Sequence, residues 1–249
     1  MFNRKIKMNI ISVIPARMGS QSIKFKNLKI LNKKPLIYYS IKQSLKSKLI
    51  SRTIVSTDSS KIARVALKFG AEVPFIRPKS ISKNKSKDYG FFSHLIHWLK
   101  KNENYTPDLI VQLRPTQPFR KISLIDKAIK IMIKDKRADS LRSISIPERT
   151  PYKMWKIKGK YLRYIFNKTK YSKKEYFNLD RRNLKDIYWH DGVIDVVRAK
   201  TILKFKNVTG KNISYIKNNS EYLIDIDTIK DLKLTRLLLK EKIIKLNEY

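Results

Sequence analysis

The stretch IISVIPARMGSQSIKFKN, residues 10–27, decides the fold of this chain. Its first six residues are apolar apart from one serine, which predicts a buried β-strand over Ile10–Pro15. A polar loop with Arg17, Gly19 and two lysines follows at once. In an open parallel sheet, ligands bind where loops leave the carboxyl ends of the strands. The loop therefore predicts either a phosphate site, with backbone amides approaching the anion at Gly19, or an ordinary strand-to-helix turn, and its spacing leaves both open.

Strand-like and helix-like segments alternate through the first 146 residues. The runs that predict strands are Ile10–Pro15, Arg52–Ser56, Glu72–Ile76, Leu109–Leu113 and Ser140–Ile146. Segments with apolar residues at helical spacing lie between them, at Leu36–Ser47, Ser60–Phe69, Tyr89–Lys100 and Ile122–Lys134. Gly70 follows the second of these helices, where a C-terminal cap is expected. The alternation predicts an α/β fold with a doubly wound, mostly parallel sheet.

The alternation breaks between Pro147 and Trp189, where prolines stand among clusters of Tyr, Lys and Asn. Within this segment, MWKIKGKYLRYIF predicts two short strands joined by a turn at KGK, residues 158–160. We expect residues 147–190 to form an insertion that provides a dimer contact or a substrate lid. The regular pattern then returns, with strands at Gly192–Val197 and Ile213–Ile216 and a helix at Ile229–Leu246. The apolar stripe of that helix, which includes Leu234, Leu237 and Ile243, is expected to pack in the core.

The composition restricts the classes of protein to consider. With 249 residues and 42% hydrophobic content, the chain can form one large globular domain, which we place at residues 9–249 after a short basic leader at residues 1–8. No cysteine is present, which excludes disulfides and thiolate metal sites. The apolar runs are too short to cross a bilayer, so we expect a cytoplasmic protein without a membrane partner.

The formal net charge of +37 is the most unusual feature of the composition. It would suit a nucleic-acid-binding protein without catalytic activity, because lysine and arginine neutralise phosphates. The positive residues are spread along the whole chain, in segments such as KNKSK, KIKGK and KEKIIK. We therefore interpret most of them as solvated lysine faces and expect no nucleic-acid partner, although a phosphate-rich small substrate would suit the same field.

Two carboxylates near the end of the chain form a second candidate site. Asp225 and Asp227 alternate with apolar residues in LIDIDTIKDL, residues 223–232, and on a strand they would point to the same face. Neighbouring carboxylates repel each other unless a cation lies between them, and oxygen ligands without His or Cys favour Mg²⁺. Mg²⁺ together with Lys and Arg is typical of phosphoryl or nucleotidyl transfer. The alternative is that Asp227 caps the helix that follows.

Three further polar segments lie where predicted strands start or end. VSTDSSKIA places Asp58 after a strand, where capping of the next helix is the simpler interpretation. QLRPTQPFR, residues 112–120, is a stiff basic loop that could position an anion. YWHDGVIDVVR, residues 188–198, contains Gly192, which would let a ligand approach a strand. The chain has no Walker, GxGxxG or GxSxG motif, which weakens the alternatives of a P-loop, dinucleotide or serine-hydrolase enzyme.

Four of these segments, in their order along the chain, resemble the motifs of one family. They are IPAR-x-GS-x-x-I-x-x-KN, VSTD-x-x-x-IA continuing to GAEVPFIRP, RPT-x-P-F-R, and D-x-D-T. The chain is thereby similar to the acylneuraminate cytidylyltransferases, also called CMP-sialic acid synthetases, over residues 10–233. The resemblance implies a Rossmann-like nucleotidyltransferase fold with a small dimerisation insert. It also implies Mg²⁺-dependent transfer of CMP from CTP to the anomeric hydroxyl of a nonulosonic acid, with release of pyrophosphate.

The resemblance assigns roles to individual residues. Arg17 and Lys26 would contact the CTP phosphates and, with Asp227, would be the catalytic residues. The CTP-binding residues would be Ala16, Arg17, Gly19, Ser20, Lys26, Asn27 and Arg77. The acidic sugar would be bound by Arg114, Thr116, Gln117, Arg181, Asp191 and Gly192. Asp225 and Asp227 would hold Mg²⁺, and the protein would be a homodimer.

The chain also departs from the usual sequence of this family. Its first loop has GSQS where GSKG is usual, so Gln21 and Ser22 replace a lysine and a glycine. In the segments that the family uses for the sugar, Arg114 stands in a glutamine position, RRNLK replaces R-Q-x-L-P, and DGVID, residues 191–195, replaces NG-x-IY. We therefore expect cytidylyl transfer to be retained and the sugar to be a legionaminate- or pseudaminate-type acid rather than N-acetylneuraminate, with KDO or another acidic sugar as the alternative.

Overall fold

A computed structural model describes residues 8–166, 175–218 and 223–246. It divides into two compact units, one made of the residues up to 143 together with those from 191 onward, and one made of residues 144–190. Within the described residues the strands are β1 Ile10–Pro15, β2 Ile30–Leu31, β3 Lys34–Pro35, β4 Arg52–Ser56, β5 Leu109–Gln112, β6 Ser140–Ser145, β7 Trp155–Lys158, β8 Tyr161–Tyr164, β9 Trp189–Arg198 and β10 Ile213–Lys217. The helices are α1 Leu36–Leu45, α2 Ser60–Lys68, α3 Asp88–Glu103, α4 Ile122–Lys134, α5 Ala199–Phe205 and α6 Ile229–Lys240.

The central sheet has the strand order β10-β6-β9-β5-β1-β4. Strand β1 pairs in parallel with β4 and with β5, which brings the carboxyl ends of these three strands to one edge. Strand β9 pairs antiparallel with β5, with Gln112 opposite Asp195. The sheet is therefore mixed and mostly parallel, which confirms the predicted α/β class. Because an antiparallel neighbour needs no helical crossover, the alternation of strands and helices could not predict the direction of β9.

Both faces of the sheet are covered, which explains why β1 is apolar throughout. Ile10 and Ile14 point into one core, where α1, α2 and α4 pack on the sheet. Ile11 and Val13 point into the other core, with the aromatic residues of α3. The loops that follow β1, β4 and β5 therefore lie together at the carboxyl edge of these three strands, next to the buried sheet core.

Several predicted elements have the predicted bounds, and others do not. The strands Ile10–Pro15 and Arg52–Ser56 and the helix Ile122–Lys134 are confirmed, and Gly70 adopts φ +93° at the end of α2 as a C-terminal cap requires. The strand predicted at Glu72–Ile76 is reduced to isolated bridges at its two end residues. Pro74 lies between them and has no N–H group for a ladder.

The end of the chain differs more from its prediction. Residues 223–228 form no strand, since the N–H of Asp227 turns back to the carbonyl of Asp225 (3.1 Å). The last helix ends at Lys240, shortly before Lys242 enters the left-handed region with φ +57°. Leu232 is buried, but the predicted burial of Leu234, Leu237 and Ile243 is wrong, because about half of each is exposed.

Residues 144–190 contain a two-stranded antiparallel ribbon of β7 and β8. The turn between the strands is Gly159-Lys160, with φ +60° at the glycine, which confirms the predicted hairpin. Tyr152, Tyr164 and Tyr176 are buried in the small aromatic core of this unit. None of the helices in the described residues is both long and apolar enough to cross a membrane.

Candidate active site

The loop after β1 is fastened to the loop after β4. The carboxylate of Asp58 accepts a hydrogen bond from the N–H of Met18 (2.8 Å). The cap of α2 is Ser59, whose hydroxyl oxygen accepts from the N–H of Ile62 (3.4 Å). Capping therefore belongs to the serine, and Asp58 instead fixes the backbone of the first loop.

Ala16 and Asn27 shape the ends of the same loop. Ala16 is fully buried and donates its N–H to the carbonyl of Ser56 (3.0 Å). Asn27 is also buried, and its side-chain amide donates to the carbonyl of Arg17 (3.0 Å). Both residues hold the backbone around Arg17 in place.

Gly19 lies exposed at the middle of this loop, followed by a turn in which Ser20 donates its N–H to the carbonyl of Met18 (3.0 Å). Its φ is not in the left-handed region, so a special backbone conformation is not the reason for a glycine here. Among the described residues other than its two chain neighbours, no atom lies within 4 Å of the place that a Cβ would occupy. The space beside the backbone of Gly19 is therefore open to an approaching ligand.

A cationic cavity of about 270 Å³ opens beside the first loop. Arg17 and Arg77 line it, together with Pro15, Phe91 and residues of the segment 81–88. Arg17 donates to the side-chain oxygen of Asn84. Among the described residues, Arg17, Arg77, Lys83 and Lys87 give this cavity four positive side chains against one carboxylate, that of Asp88.

Arg77 is the most constrained of these cations. It is 4% exposed, its guanidinium lies 5.6 Å from the centre of the Phe91 ring, and its Nε has no hydrogen-bond partner among the described residues. Burial lowers the pKa of Arg77, and the charge of Arg17 acts in the same direction, while Asp58 and Asp88 oppose it. A buried cation without an anionic partner is costly, and an anion bound in the cavity would relieve that cost.

Lys26 joins the first loop to the carboxylate pair. Its Nζ lies 2.7 Å from Oδ1 of Asp227, and the Lys26 side chain is 11% exposed, against 64% for that of Asp227. The hydroxyl of Ser22 donates to the backbone carbonyl of Asp227 (2.5 Å). The cap of α6 is Thr228, which forms a capping box with Asp231. The alternative that Asp227 caps this helix is therefore wrong, because its carboxylate binds Lys26 instead.

Asp225 lies on the other side of the buried Ile226. Loss of hydration raises the pKa of the Asp225 carboxyl, and the charge of Asp227 raises it further, while a hydrogen bond from Thr116 and the charges of Lys26 and Arg114 lower it. The two carboxylates thus repel each other, although they do not lie on the strand that the sequence predicts.

These residues fit a divalent cation that binds hard oxygen ligands. Asp225 and Asp227 supply carboxylate oxygens, and their mutual repulsion is what a cation would relieve. No group of three or more His, Asp or Glu side chains among the described residues could enclose a metal. The remaining ligands would come from water and substrate phosphates, which is how Mg²⁺ commonly binds.

The loop after β5 lies against β9 through Arg114. Its Nη1 lies 2.8 Å from Oδ2 of Asp195 and donates to the carbonyl of Gly192 (3.0 Å). Gly192 has φ +70°, and a Cβ there would lie 3.4 Å from Nη1 of Arg114. That distance is an ordinary van der Waals contact, so the positive φ of the backbone, and not the packing of Arg114, is what favours a glycine here, in addition to any role toward a ligand.

Asp191 and Gln117 are buried and bonded to protein groups. The Asp191 carboxylate accepts from the hydroxyl of Ser143, from the N–H of Val193 (3.0 Å) and from the amide of Asn218 (3.2 Å). Gln117 donates to the carbonyl of Asp191 (3.3 Å). Their contact with a sugar stays a prediction, as does that of Thr116.

Arg181 belongs to the unit of residues 144–190. It is exposed, and its guanidinium donates to the carbonyls of Pro147 (2.6 Å) and Glu148 (3.1 Å) within that unit. Its proposed role toward the sugar also stays a prediction.

Comparison with known proteins identifies the family. The sequence profile of the cytidylyltransferase family matches residues 11–244. The chain belongs to this family. It is 33% identical over 245 residues to the CMP-N,N'-diacetyllegionaminic acid synthase of Legionella pneumophila, which covers 97% of this chain and 98% of that protein. It is 28% identical over 242 residues to the N-acylneuraminate cytidylyltransferase of Escherichia coli, with 95% of this chain and 54% of that protein covered.

A solved structure shows the same fold. The CMP:2-keto-3-deoxy-manno-octonic acid synthetase complexed with CTP superposes with a TM-score of 0.67 over 94% of this chain and 99% of its own, at 16% sequence identity. The resemblance to acylneuraminate cytidylyltransferases and the Rossmann-like nucleotidyltransferase fold are thereby confirmed. This cytidylyltransferase is an enzyme, and the hypothesis of a nucleic-acid-binding protein without catalytic activity is not supported.

Sequence reasoning missed two residues that organise the cytidylyltransferase site. Arg120 is 2% exposed and donates to Gln43, to the carbonyl of Val193 and to that of Arg114 (3.0 Å). Arg120 holds the loop after β5 through these hydrogen bonds and, because it is buried, is not available to an anion. Asp195 is buried between two arginines, and its exchange for the usual residue of the family motif was the only signal in the sequence.

Proposed function

We propose that this cytidylyltransferase transfers CMP from CTP to the anomeric hydroxyl of a nonulosonic acid and releases pyrophosphate. The observation that supports it best is the cationic cavity beside the loop that ends at Lys26, in which Arg77 is buried and its Nε finds no hydrogen-bond partner in the part of the chain that the structure describes. The substrate class is supported by the two relatives, whose names specify a diacetyllegionaminic acid and an acylneuraminate.

On the nucleotide side, Arg17 and Arg77 would neutralise and orient CTP in the cavity. The amides around Ala16, Gly19 and Ser20 would approach the nucleotide, since no side chain of the described residues occupies the space beside Gly19. Asn27 would act by holding the backbone of Arg17. These roles follow from charge, burial and open space, which together suit a polyanionic ligand.

On the phosphate side, Lys26 would exchange its contact with Asp227 for the phosphates. Its ammonium group is largely shielded from water, which strengthens its attraction to an incoming anion. Asp225 and Asp227 would hold Mg²⁺, which would polarise the phosphates when bound. As the sugar hydroxyl attacks the α-phosphorus, Lys26 and Arg17 would stabilise the charge that collects on the leaving pyrophosphate.

On the sugar side, Arg114, Thr116, Gln117, Asp191 and Gly192 would form the wall of the site, and Arg181 keeps its predicted role toward the sugar. Gln117 and Asp191 would act mainly by fixing this wall, because both are buried and bonded to protein groups. We propose a legionaminate- or pseudaminate-type acid as the sugar, with KDO as the alternative. A cytoplasmic location stays a prediction.

We further propose that residues 147–190 mediate a homodimer. On one face of the ribbon, Ile157 is 81% exposed and its cross-strand partner Leu162 is 59% exposed. A two-stranded ribbon is marginal by itself, and an apolar pair at its surface is typical of a contact with another chain. Light scattering of an Ile157→Lys/Leu162→Lys variant should give a monomer where the natural protein gives a dimer, and a Lys156→Glu variant on the opposite face serves as the control. A natural protein that is monomeric at micromolar concentration would contradict this proposal.

Release of pyrophosphate tests the function directly. The protein is incubated with CTP and MgCl₂ and with each of N-acetylneuraminate, diacetyllegionaminate, pseudaminate and KDO. We expect release with CTP and at least one nine-carbon acid, and much less with ATP, GTP or UTP. Release with KDO alone would select the alternative substrate. No release with any acid would contradict the proposed function.

A further inference from the structure

Asp195 and Arg114 form an ion pair at two positions where this chain departs from the motifs of its family. Oδ2 of Asp195 lies 2.8 Å from Nη1 of Arg114, and Oδ1 lies 3.1 Å from Nη1 of Arg142. The Asp195 side chain is 9% exposed, so this carboxylate lies between two guanidinium groups with little access to water. Each of the two departures therefore supplies the charge that the other requires.

The guanidinium of Arg114 is fixed on one side by rigid elements. Asp195 lies inside β9, opposite Gln112 of β5, so the register of the sheet sets its position. Nη1 of Arg114 contacts both Asp195 and the carbonyl of Gly192. Nη2 makes one long hydrogen bond to the side-chain oxygen of Gln112 (3.4 Å) and lies 3.8 Å from Oδ2 of Asp88, which is an ion-pair distance without a hydrogen bond.

The opposite edge of the same guanidinium has hydrogen-bonding capacity left. Within the described ranges, Nε of Arg114 donates to no protein acceptor, and the side chain is 25% exposed. An arginine offers only donors, and its Nε–Nη2 edge matches the two oxygens of a carboxylate. The charge of Arg114 also lowers the pKa of Asp225, so the guanidinium of Arg114 lies close enough to the carboxylate pair to act on it electrostatically.

We propose that Asp195 is a positioning residue that fixes Arg114, and that the Nε–Nη2 edge of Arg114 binds the carboxylate of the sugar acid. This inference rests on the proposed function, since it names the group that recognises the acid in the same site. A glutamine in place of Arg114 offers a donor and an acceptor without charge, whereas the held arginine selects an anionic acceptor. Asp88 completes the local charge balance and would compete weakly with the substrate for Nη2.

The test compares Arg114→Gln, Asp195→Asn and the double variant with the natural protein, and KM is measured separately for the sugar acid and for CTP. Arg52→Gln is the control. Arg52 also pairs with two carboxylates, but it is the first residue of β4 and therefore lies away from the carboxyl edge of the sheet. We expect Arg114→Gln and Asp195→Asn each to raise the KM of the sugar acid roughly 10- to 100-fold, as the loss of a charged hydrogen bond does, with the KM of CTP within about 2-fold. The double variant should be no worse than Arg114→Gln, because Asp195 acts through the arginine.

The methyl ester of the sugar acid separates charge recognition from a structural role. The natural protein should prefer the acid over the ester about 10-fold or more, and Arg114→Gln should lose that preference. An unchanged preference in Arg114→Gln, an equal rise in both KM values, or multiplicative effects in the double variant would overturn the proposal. If Asp195→Asn fails to fold, Asp195→Glu, which keeps the charge, should retain the acid preference, and its loss would overturn the positioning role. Failure of the natural protein to turn over any acid would instead count against the proposed function.

Discussion

Lys26 Nζ lies 2.7 Å from Asp227 Oδ1, although 201 residues separate them in the sequence. The pair joins the loop after β1 to the segment before α6, and Ser22 reinforces the junction through the backbone of Asp227. The contact brings the expected phosphate ligand and the expected metal ligand together. The two sequence motifs therefore belong to one site.

Removal of either member of this pair should abolish activity without unfolding the protein. Because Asp227 is mostly exposed, its ion pair contributes at most about 1 kcal/mol to the free energy of unfolding. We expect Asp227→Asn and Lys26→Met to lower kcat at least about 100-fold, with urea unfolding nearly unchanged. Glu103→Gln, at the end of α3, removes a carboxylate that pairs with Arg52; it is the control and should keep full activity. Near-normal turnover in Asp227→Asn would refute the metal assignment.

Arg77 should be needed for CTP and costly for the fold. We expect Arg77→Met to leave the melting temperature unchanged or higher, since it removes a buried cation with an unpaired Nε, and to raise the KM of CTP roughly 10- to 100-fold. Arg198 is a matched control, because its side chain is also buried. Unlike Arg77, it donates to three backbone carbonyls, those of Met132 (2.6 Å), Ala138 (2.8 Å) and Asp135 (2.9 Å). Arg198→Met should destabilise the protein by about 2 kcal/mol or more. A large destabilisation by Arg77→Met would contradict the account.

Gly192 and Gly19 should respond differently to alanine. Gly192 has φ +70°, which a Cβ disfavours, so Gly192→Ala should lower the free energy of unfolding by about 1–2 kcal/mol in urea titrations. Gly19 has no positive φ, so Gly19→Ala should change the free energy of unfolding by less than about 0.5 kcal/mol. If Gly19→Ala weakens CTP binding while stability is kept, open space for the ligand is the reason for this glycine. Equal stability loss in both variants would contradict these assignments.

Asp225 and Asp139 should give stability profiles of opposite sign with pH, measured with EDTA present. The folded protein raises the pKa of Asp225 above its ordinary 3.8, so the folded state holds the proton longer and stability falls as pH rises through that window. Asp225→Asn should therefore be more stable than the natural protein at pH 7, with the difference vanishing below about pH 3.8.

Asp139 is the matched case with the other sign. Hydrogen bonds from the N–H groups of Asn212 and Lys211 lower its pKa, so its contribution is present above 3.8 and is lost as pH falls through the folded pKa. Asp139→Asn should be less stable at pH 7 and equal at low pH. A profile of the same sign for both variants would contradict the assigned causes.

The sequence predicted the elements whose signals are local. Strand β1 and helix α4 have their predicted bounds because each buries a continuous run or one face of apolar residues. The hairpin was predictable because KGK supplies a glycine between two strand-like runs, and Gly159 takes the positive φ of +60° that the two-residue turn needs. The motifs also singled out Lys26 and Asp227, which the structure brings into contact, while their roles stay predictions.

The rest depended on contacts between distant residues. The direction of β9 is seen only in its antiparallel pairing with β5, and the burial of Asp191 depends on partners such as Ser143 and Asn218, which no spacing indicates. The exposure of Leu234 and Leu237 follows from the position of α6 on the fold, since an apolar stripe does not state how much of it is covered. The pairing of Arg114 with Asp195 was visible in the sequence only as two unexplained departures.

Analysis of the product tests the central claim most directly. The protein is incubated with CTP, MgCl₂ and the preferred nonulosonic acid, and the products are quantified by mass spectrometry and by pyrophosphate release. We predict equal amounts of pyrophosphate and a CMP–sugar conjugate, both dependent on the sugar acid and both lost in Asp227→Asn. Pyrophosphate release that is independent of the sugar, or the absence of a CMP conjugate with every acid tried, would contradict the account.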